Sequence, residues 1–319
     1  MRRSHYDVTD TIRTTNPAEV GKEVSRLYSD LYQGDPSPQL VRAFEDMPRL
    51  YLGEHPEYHP CDTPYHDIQH VMDVTLTMAR LLDGYERGRE GGSPLPAEFF
   101  AMGIVIALFH DFGYLRRRGD HKHRFGAEYT LTHVSRGSHF LLDYFPAIGW
   151  TKYAGVASQL IHFTGYERDV ATIRMDDPLL RRLGEILGTA DIIAQMSDRC
   201  YLEKCRGRLY PEFVLGGLTH RKDPDGKTVI LFESGADLVR KTPAFYANAI
   251  KRLNEKLHGA YVYAEKHLGG QNVYLEEMDK NARYAQVAGA DEASDTLRRT
   301  PPTTLPPRVR AFQKDFVIR

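Results

Sequence analysis

The sequence predicts an all-α fold with at most one short β-hairpin. Three observations carry this. Apolar residues return every third or fourth position in segment after segment, the spacing of amphipathic helices. Only one stretch, Asp223-Pro224-Asp225-Gly226 followed by Lys227-Thr228-Val229-Ile230, reads as a tight turn leading into a strand. No GxGxxG, Walker loop or GxSxG elbow is present, and no internal repeat, so nothing calls for a parallel α/β sheet.

The elements follow in order. Residues 1–15 are polar and are expected to be flexible. Asn16-Pro17-Ala18-Glu19 opens a helix, with Asn as cap and Pro at the first helical position. A second helix is expected over 38–50, and 53–64, rich in Pro, His and Tyr, is expected to be a loop. From His66 to Tyr85, Val71, Val74, Met78 and Leu81 form one apolar stripe. Residues 96–112 are apolar on every face, which marks a buried central helix, and Gly113 follows as its stop. The basic stretch 115–124 reads as a loop. Helical patterns resume over 126–144, 152–163 and 177–202. Residues 207–235 look irregular, and 236–268 looks like one or two helices with a break at Pro243. One helical domain over 16–288 is therefore expected, followed by an extended tail over 289–319 that contains Thr300-Pro301-Pro302 and Leu305-Pro306-Pro307.

Composition narrows the function classes. With 319 residues the chain can bury a large core. A net charge of −1 gives no bulk basic field for nucleic acid or an anionic membrane. The three cysteines, Cys61, Cys200 and Cys205, are odd in number and contain no CxxC. They support neither a disulfide framework nor a zinc ribbon. No signal peptide is visible in Met1-Arg2-Arg3-Ser4-His5, and no uninterrupted apolar run of bilayer length is read. A cytoplasmic setting is expected.

Polar groups on apolar helices carry the functional signal. They occur at His66 and His70, at His110-Asp111, at His162 and at Asp191. His66 and His70 are four residues apart, so they share a helix face one turn apart. His110-Asp111 ends the most apolar segment of the chain, where burial costs several kcal/mol unless the groups are paired or coordinated. Asp191 lies among Leu187, Ala190, Ile192 and Ile193 and needs a cation, either a metal ion or an arginine. His162 ends its helical stretch and reads equally as a C-terminal cap. Imidazoles and carboxylates together suit zinc, iron or manganese better than calcium.

His…His-Asp…Asp on separate helices resembles the HD-domain metal-dependent phosphohydrolase superfamily, over roughly residues 60–205. Tyr65-His66-x-x-x-His70 with Val74 further resembles the class I cyclic nucleotide phosphodiesterases. The resemblance implies a multi-helix HD-domain bundle and a centre of two divalent metals (Zn, Mn, Fe or Mg). It implies that His70, His110, Asp111 and Asp191 hold the tighter ion, and that Asp111 bridges to the second. It implies that His66 is the general acid, and it offers His121, His123, Glu128 and His162 as additional second-metal or substrate groups. Asp67 stands where those phosphodiesterases have Asn, Tyr114 where they have a further histidine, and their glutamine–phenylalanine nucleotide clamp is not found.

The expected activity is therefore hydrolysis of a phosphodiester or phosphomonoester of a nucleotide, a cyclic nucleotide included, with a small-molecule partner and neither nucleic acid nor membrane. Arg116, Arg117, Arg118, Lys122 and Arg124 are candidates to attract the phosphate. The alternatives are a mixed-valence di-iron oxygenase of HD fold, which needs more histidines, and a degenerate HD domain acting as a nucleotide sensor. The segment 207–235 is expected to flank the pocket and set specificity.

Overall fold

The computed structural model describes residues 2–91, 94–288, 296–307 and 309. It is an all-α bundle with one short hairpin, as expected from the spacing of apolar residues. In chain order it runs α1 (Pro17–Tyr32), α2 (Pro38–Tyr51), α3 (Ile68–Arg87), α4 (Ala97–Phe109), α5 (His133–Ala147), α6 (Ala154–Leu160) and α7 (Pro178–Ser197). Then come α8 (Tyr201–Lys204), α9 (Tyr210–Leu215), the hairpin β1 (His220–Lys222) and β2 (Thr228–Ile230), α10 (Gly235–Arg240), α11 (Thr242–Glu255), α12 (Val262–Leu268) and α13 (Val273–Ala288). Antiparallel pairing sets His220 opposite Ile230 and Lys222 opposite Thr228.

Cap residues set several helix starts. Asn16 accepts from the Ala18 amide and Asp177 from the Leu179 amide, each with Pro at the first helical position. Asp67 accepts from the His70 amide, so α3 begins at Ile68. His66 therefore precedes the helix rather than lying on it. The apolar stripe correctly marks the helix, but an Asp three residues before a free amide is a stronger start signal than a continuing pattern.

Helix α3 is the hub, with α1, α4, α7 and α12 packed on it. Helix α4 has no polar face, and its residues from Phe100 to Phe109 are all buried. The stretch Ala97–Tyr114 is the only one among the described residues with the length and apolar character of a membrane span. It is mostly buried in the fold, and α4 itself has 13 residues against the ~20 of a transmembrane helix. Two close backbone approaches fix the frame. A Cβ on Gly84 would lie 1.8 Å from the Tyr263 carbonyl oxygen, and one on Gly113 would lie 1.8 Å from that of His133. Only glycine admits α12 against α3 and the turn Phe112–Tyr114 against α5 at these distances.

Several expectations need correction. The described part of the N-terminal segment, 2–15, is packed rather than loose. Asp7 is buried, accepts from the amides of Thr9, Thr11 and Ile12, and pairs with Arg80 of α3 at 2.7 Å. One carboxylate thus collects a polar segment into a turn and anchors it to a buried guanidinium. The segment 207–235 is helical in its first part, because Pro211 at the start of α9 continues a π-turn over Cys205–Leu209. The break expected at Pro243 falls at Lys241, between α10 and α11, with Pro243 in the first turn of α11, and a further break over 256–261 sets off α12. Of the tail, 301–304 forms neither helix nor strand, and the carbonyls of Pro301 and Pro302 accept from Arg208. Leu305 and Val309 are buried. The rest of the expected extended tail, 289–295, 308 and 310–319, lies outside the described residues.

Candidate metal centre

Three helices deliver one cluster. His70 comes from the first turn of α3, His110 and Asp111 from the carboxyl end of α4, and Asp191 from the middle of α7. His70 Nε2 and His110 Nε2 are 3.3 Å apart, and Asp111 Oδ2 is 3.1 Å from each. Asp191 Oδ1 lies 3.6 Å from His70 Nε2 and 3.9 Å from His110 Nε2. Donors bound about 2.1 Å from one ion stand about 3.0–3.4 Å from one another. The separations are close to that spacing, so His70, His110 and Asp191 form a group that could hold a metal, with Asp111 lying against both imidazoles.

The protonation pattern points the same way. His110 Nδ1 is 2.7 Å from the Ala107 carbonyl oxygen, which can only accept, so Nδ1 carries the proton. Nε2 then faces the carboxylate of Asp111 and the ring nitrogen of His70, acceptors that call for a cation or a proton among them. Backbone support of the far ring nitrogen is also the usual arrangement behind a metal-bound imidazole. Burial alone would lower the pKa of His110, but Asp111 and Asp191 outweigh it and raise it to about 9. Burial would raise Asp111, but His110 and His66 hold it well below the carboxylate range. The pocket draws in positive charge. Tyr65 donates its hydroxyl to Gln195 Oε1 at 3.2 Å, and Gln195 Nε2 donates to Asp191 Oδ1 at 3.5 Å, which orients the one ligand that is partly open to solvent.

His133, at the start of α5, was not singled out from sequence. Its Nδ1 donates to the Thr130 carbonyl at 2.7 Å, and its Nε2 lies 3.6 Å from Asp111 Oδ1, the oxygen on the far side of that carboxylate from His110. Burial lowers its pKa, so it is held neutral with a lone pair toward Asp111. Asp111 thus faces imidazoles through both oxygens.

His66 stands beside this cluster, its ring centroid 5.8 Å from that of His70. Its Nδ1 is 2.5 Å from Oε2 of Glu212, a nearly inaccessible carboxylate of α9. Glu212 also accepts from the Tyr65 amide at 2.6 Å. Burial would lower the pKa of His66, but Glu212 and then Asp111 outweigh it and raise it. Tyr114 lies between His66 and His133, stacked on the first at 4.3 Å and on the second at 4.4 Å. Asp67 does not bond the His66 ring. It caps α3 and faces Arg208 at 3.6 Å.

The other candidates lie elsewhere. His121 is exposed. His123 pairs with Asp120 at 3.1 Å. Glu128 caps the turn Gly126–Tyr129 by accepting from the amides of Arg124 and Phe125. His162 is buried near Glu167, Arg168 and His139, and burial carries its pKa down to about 4. Arg116 is neutralised by Asp62 at 3.2 Å, and Lys122 and Arg124 are exposed. Arg117 lies over the Tyr58 ring and Arg118 donates to the Gly53 carbonyl. No polar contact joins any of these residues to the cluster among the described residues. In comparisons with protein-family models, curated proteins and solved structures, nothing matches this chain.

Proposed function

We propose that the chain is a metal-dependent phosphohydrolase of the HD type, acting on a phosphodiester or phosphomonoester of a small molecule, a nucleotide foremost. One observation carries the reading: a histidine hydrogen-bonded to a buried carboxylate stands next to a cluster of two imidazoles and a carboxylate, with Asp111 against both imidazoles. A metal cluster alone serves many chemistries. A charged imidazole beside it is what ester cleavage needs, because the departing alkoxide must take up a proton.

In this reading His70, His110, Asp111 and Asp191 hold one divalent ion, and Asp111 with His133 reaches a second. When bound, such ions supply a Lewis acid and water acidified to near neutrality. The chain's own contribution is orientation and the proton. Asp111 positions charge between the two sets of imidazoles. Glu212 takes Nδ1 of His66, which leaves Nε2 as the donor. As the P–O bond to the leaving group breaks, that oxygen receives the Nε2 proton, and the carboxylate of Glu212 stabilises the imidazolium until then. Tyr114 keeps the His66 ring in plane by stacking.

A second reading, a mixed-valence di-iron oxygenase, is favoured by His133, which adds an imidazole on the far side of Asp111. The separating experiment loads metal-free protein with Mn, Zn, Mg or Fe. It then measures phosphate and alcohol release from a panel of nucleotides and aryl phosphates, alongside oxygen uptake with small polyols. Metal-dependent hydrolysis supports the hydrolase. Oxygen uptake by the iron form, with no hydrolysis under any metal, overturns it.

A further inference from the structure

We propose that a cleft lined by Arg117, Arg118 and Arg136, separate from the metal centre, binds the phosphate group of a small molecule. The cleft has a volume of about 460 Å³ and is also lined by Glu57, Asp120 and Tyr129. That volume falls within the ~300–1,000 Å³ of ordinary small-molecule sites.

The charges in the cleft are unbalanced in a specific way. Neighbouring Arg116 has its own carboxylate, Asp62. Arg117, Arg118 and Arg136 form no ion pair among the described residues, although all three line one space. Arg136 is the most committed of them. Its Nε donates to the Gly113 carbonyl at 2.7 Å and its Nη2 to the Leu115 carbonyl at 2.9 Å, and its plane lies 3.5 Å over the Tyr129 ring. A guanidinium locked in place by two carbonyls and an aromatic face is pre-organised, so little rotamer freedom remains to be lost on binding. Of the two carboxylates, Asp120 is turned to its own loop, where it accepts from the amides of Lys122 and His123 and from the Tyr129 hydroxyl. Glu57 is exposed to solvent. Planar forks of N–H donors match the oxygens of a phosphate bidentately, as they do those of a carboxylate.

The cleft and the metal centre share no lining residue. The chain between them is the turn Phe112–Tyr114 with Leu115. Its carbonyls at Gly113 and Leu115 are held by Arg136 of the cleft, while its Tyr114 ring stacks on His66 of the centre. The proposal does not depend on the hydrolase reading, because binding is measurable with no metal bound.

The probe is inorganic pyrophosphate, titrated calorimetrically into full-length protein dialysed against chelator. The expected result is saturable binding that weakens with added salt. It should weaken at least 10-fold in the double variant R117A/R118A. It should be unchanged in K122A/R124A, whose cations lie on the same loop outside the cleft. Arg118→Glu gives a second variant at an exposed position should the double variant be misfolded by circular dichroism. No binding, equal binding in R117A/R118A and R118E, or equal loss in K122A/R124A would each overturn the proposal. The last of these would mean diffuse attraction to a basic loop.

Discussion

His66 Nδ1 and Glu212 Oε2 stand 2.5 Å apart although 146 residues of chain separate them. A contact this short between an imidazole and a buried carboxylate is a charge-assisted hydrogen bond, about twice as strong as a neutral one. It joins the entry to α3 with the start of α9, so the proton donor and the element holding it come from distant parts of the sequence.

Replacing His66 with Ala should leave bound metal near the wild-type level, because the cluster atoms belong to other residues. Hydrolysis of esters with poor leaving groups should fall about 10²–10⁴-fold. With p-nitrophenyl esters the fall should be smaller, since p-nitrophenolate departs without a proton. An equal loss on both substrate types would remove the proton-donor role, and outright loss of metal would make His66 a ligand.

Glu212→Gln tests the partner through pH. Glu212 raises the pKa of His66, so the protonated, competent form persists to higher pH than an ordinary histidine allows. Without that carboxylate the folded-state pKa falls, and the proton is lost at lower pH. The alkaline limb of kcat/KM should therefore move to lower pH, while a purely structural role would lower activity evenly without moving the limb.

Imidazoles on the two sides of Asp111 should separate by metal count. His110→Ala removes a donor from the cluster and should abolish tight binding, read by elemental analysis after gel filtration. His133→Ala should cost only the second equivalent, because its Nε2 approaches the other oxygen of Asp111. If His133→Ala leaves the count unchanged, that imidazole is a neutral neighbour rather than a ligand.

Helix positions and the polar residues among them were legible in the sequence for one reason. An ionisable group in or at the end of an apolar helical stretch stands out, and His70, His110, Asp111 and Asp191 all do. Glu212 and His133 carried no such contrast. Glu212 sits in a stretch of Gly, Arg and Leu that reads as loop, and becomes a buried partner only when α9 folds back on residues 65–66. His133 stands in Thr130-Leu131-Thr132-His133-Val134-Ser135, a mixed stretch rather than an apolar helix, and Gly113 lets its backbone approach. Periodicity reports on one element at a time, and these two roles exist only between elements. His162 shows the converse: buried and helical, it satisfies the local pattern yet lies apart from the centre.

Gly84→Ala separates propensity from packing. In a helix interior Ala is favoured over Gly by about 1 kcal/mol. Here the added methyl carbon would meet backbone, the Tyr263 carbonyl oxygen at 1.8 Å and its carbon at 2.7 Å, which cannot swing aside. The sign should reverse, with destabilisation of about 1–3 kcal/mol in urea unfolding. A neutral or stabilising result would show that α12 is not seated on α3 this closely.

The Asp7–Arg80 pair sets an acid limit on the N-terminal anchor. Burial alone would raise the Asp7 pKa, but Arg80, Thr9 and the Ile12 amide outweigh it and lower it to about 2 from 3.8. A depressed folded-state pKa gives stability that is present above the unfolded value and lost as pH falls through the folded one. The shift corresponds to about 2 kcal/mol at neutral pH, declining from about pH 4 to about pH 2. Asp7→Asn should cost about 3 kcal/mol at pH 7, because it leaves the buried Arg80 without a carboxylate, with Tyr274 and Thr9 as its polar side-chain partners among the described residues. The same substitution should flatten the fall in stability between pH 4 and pH 2. Asp7→Asn with Arg80→Met should be less destabilised than the sum of the single variants, since removing both partners leaves no uncompensated charge. Additive losses in denaturant melts would mean that the segment is held by its backbone turn, independently of the ion pair.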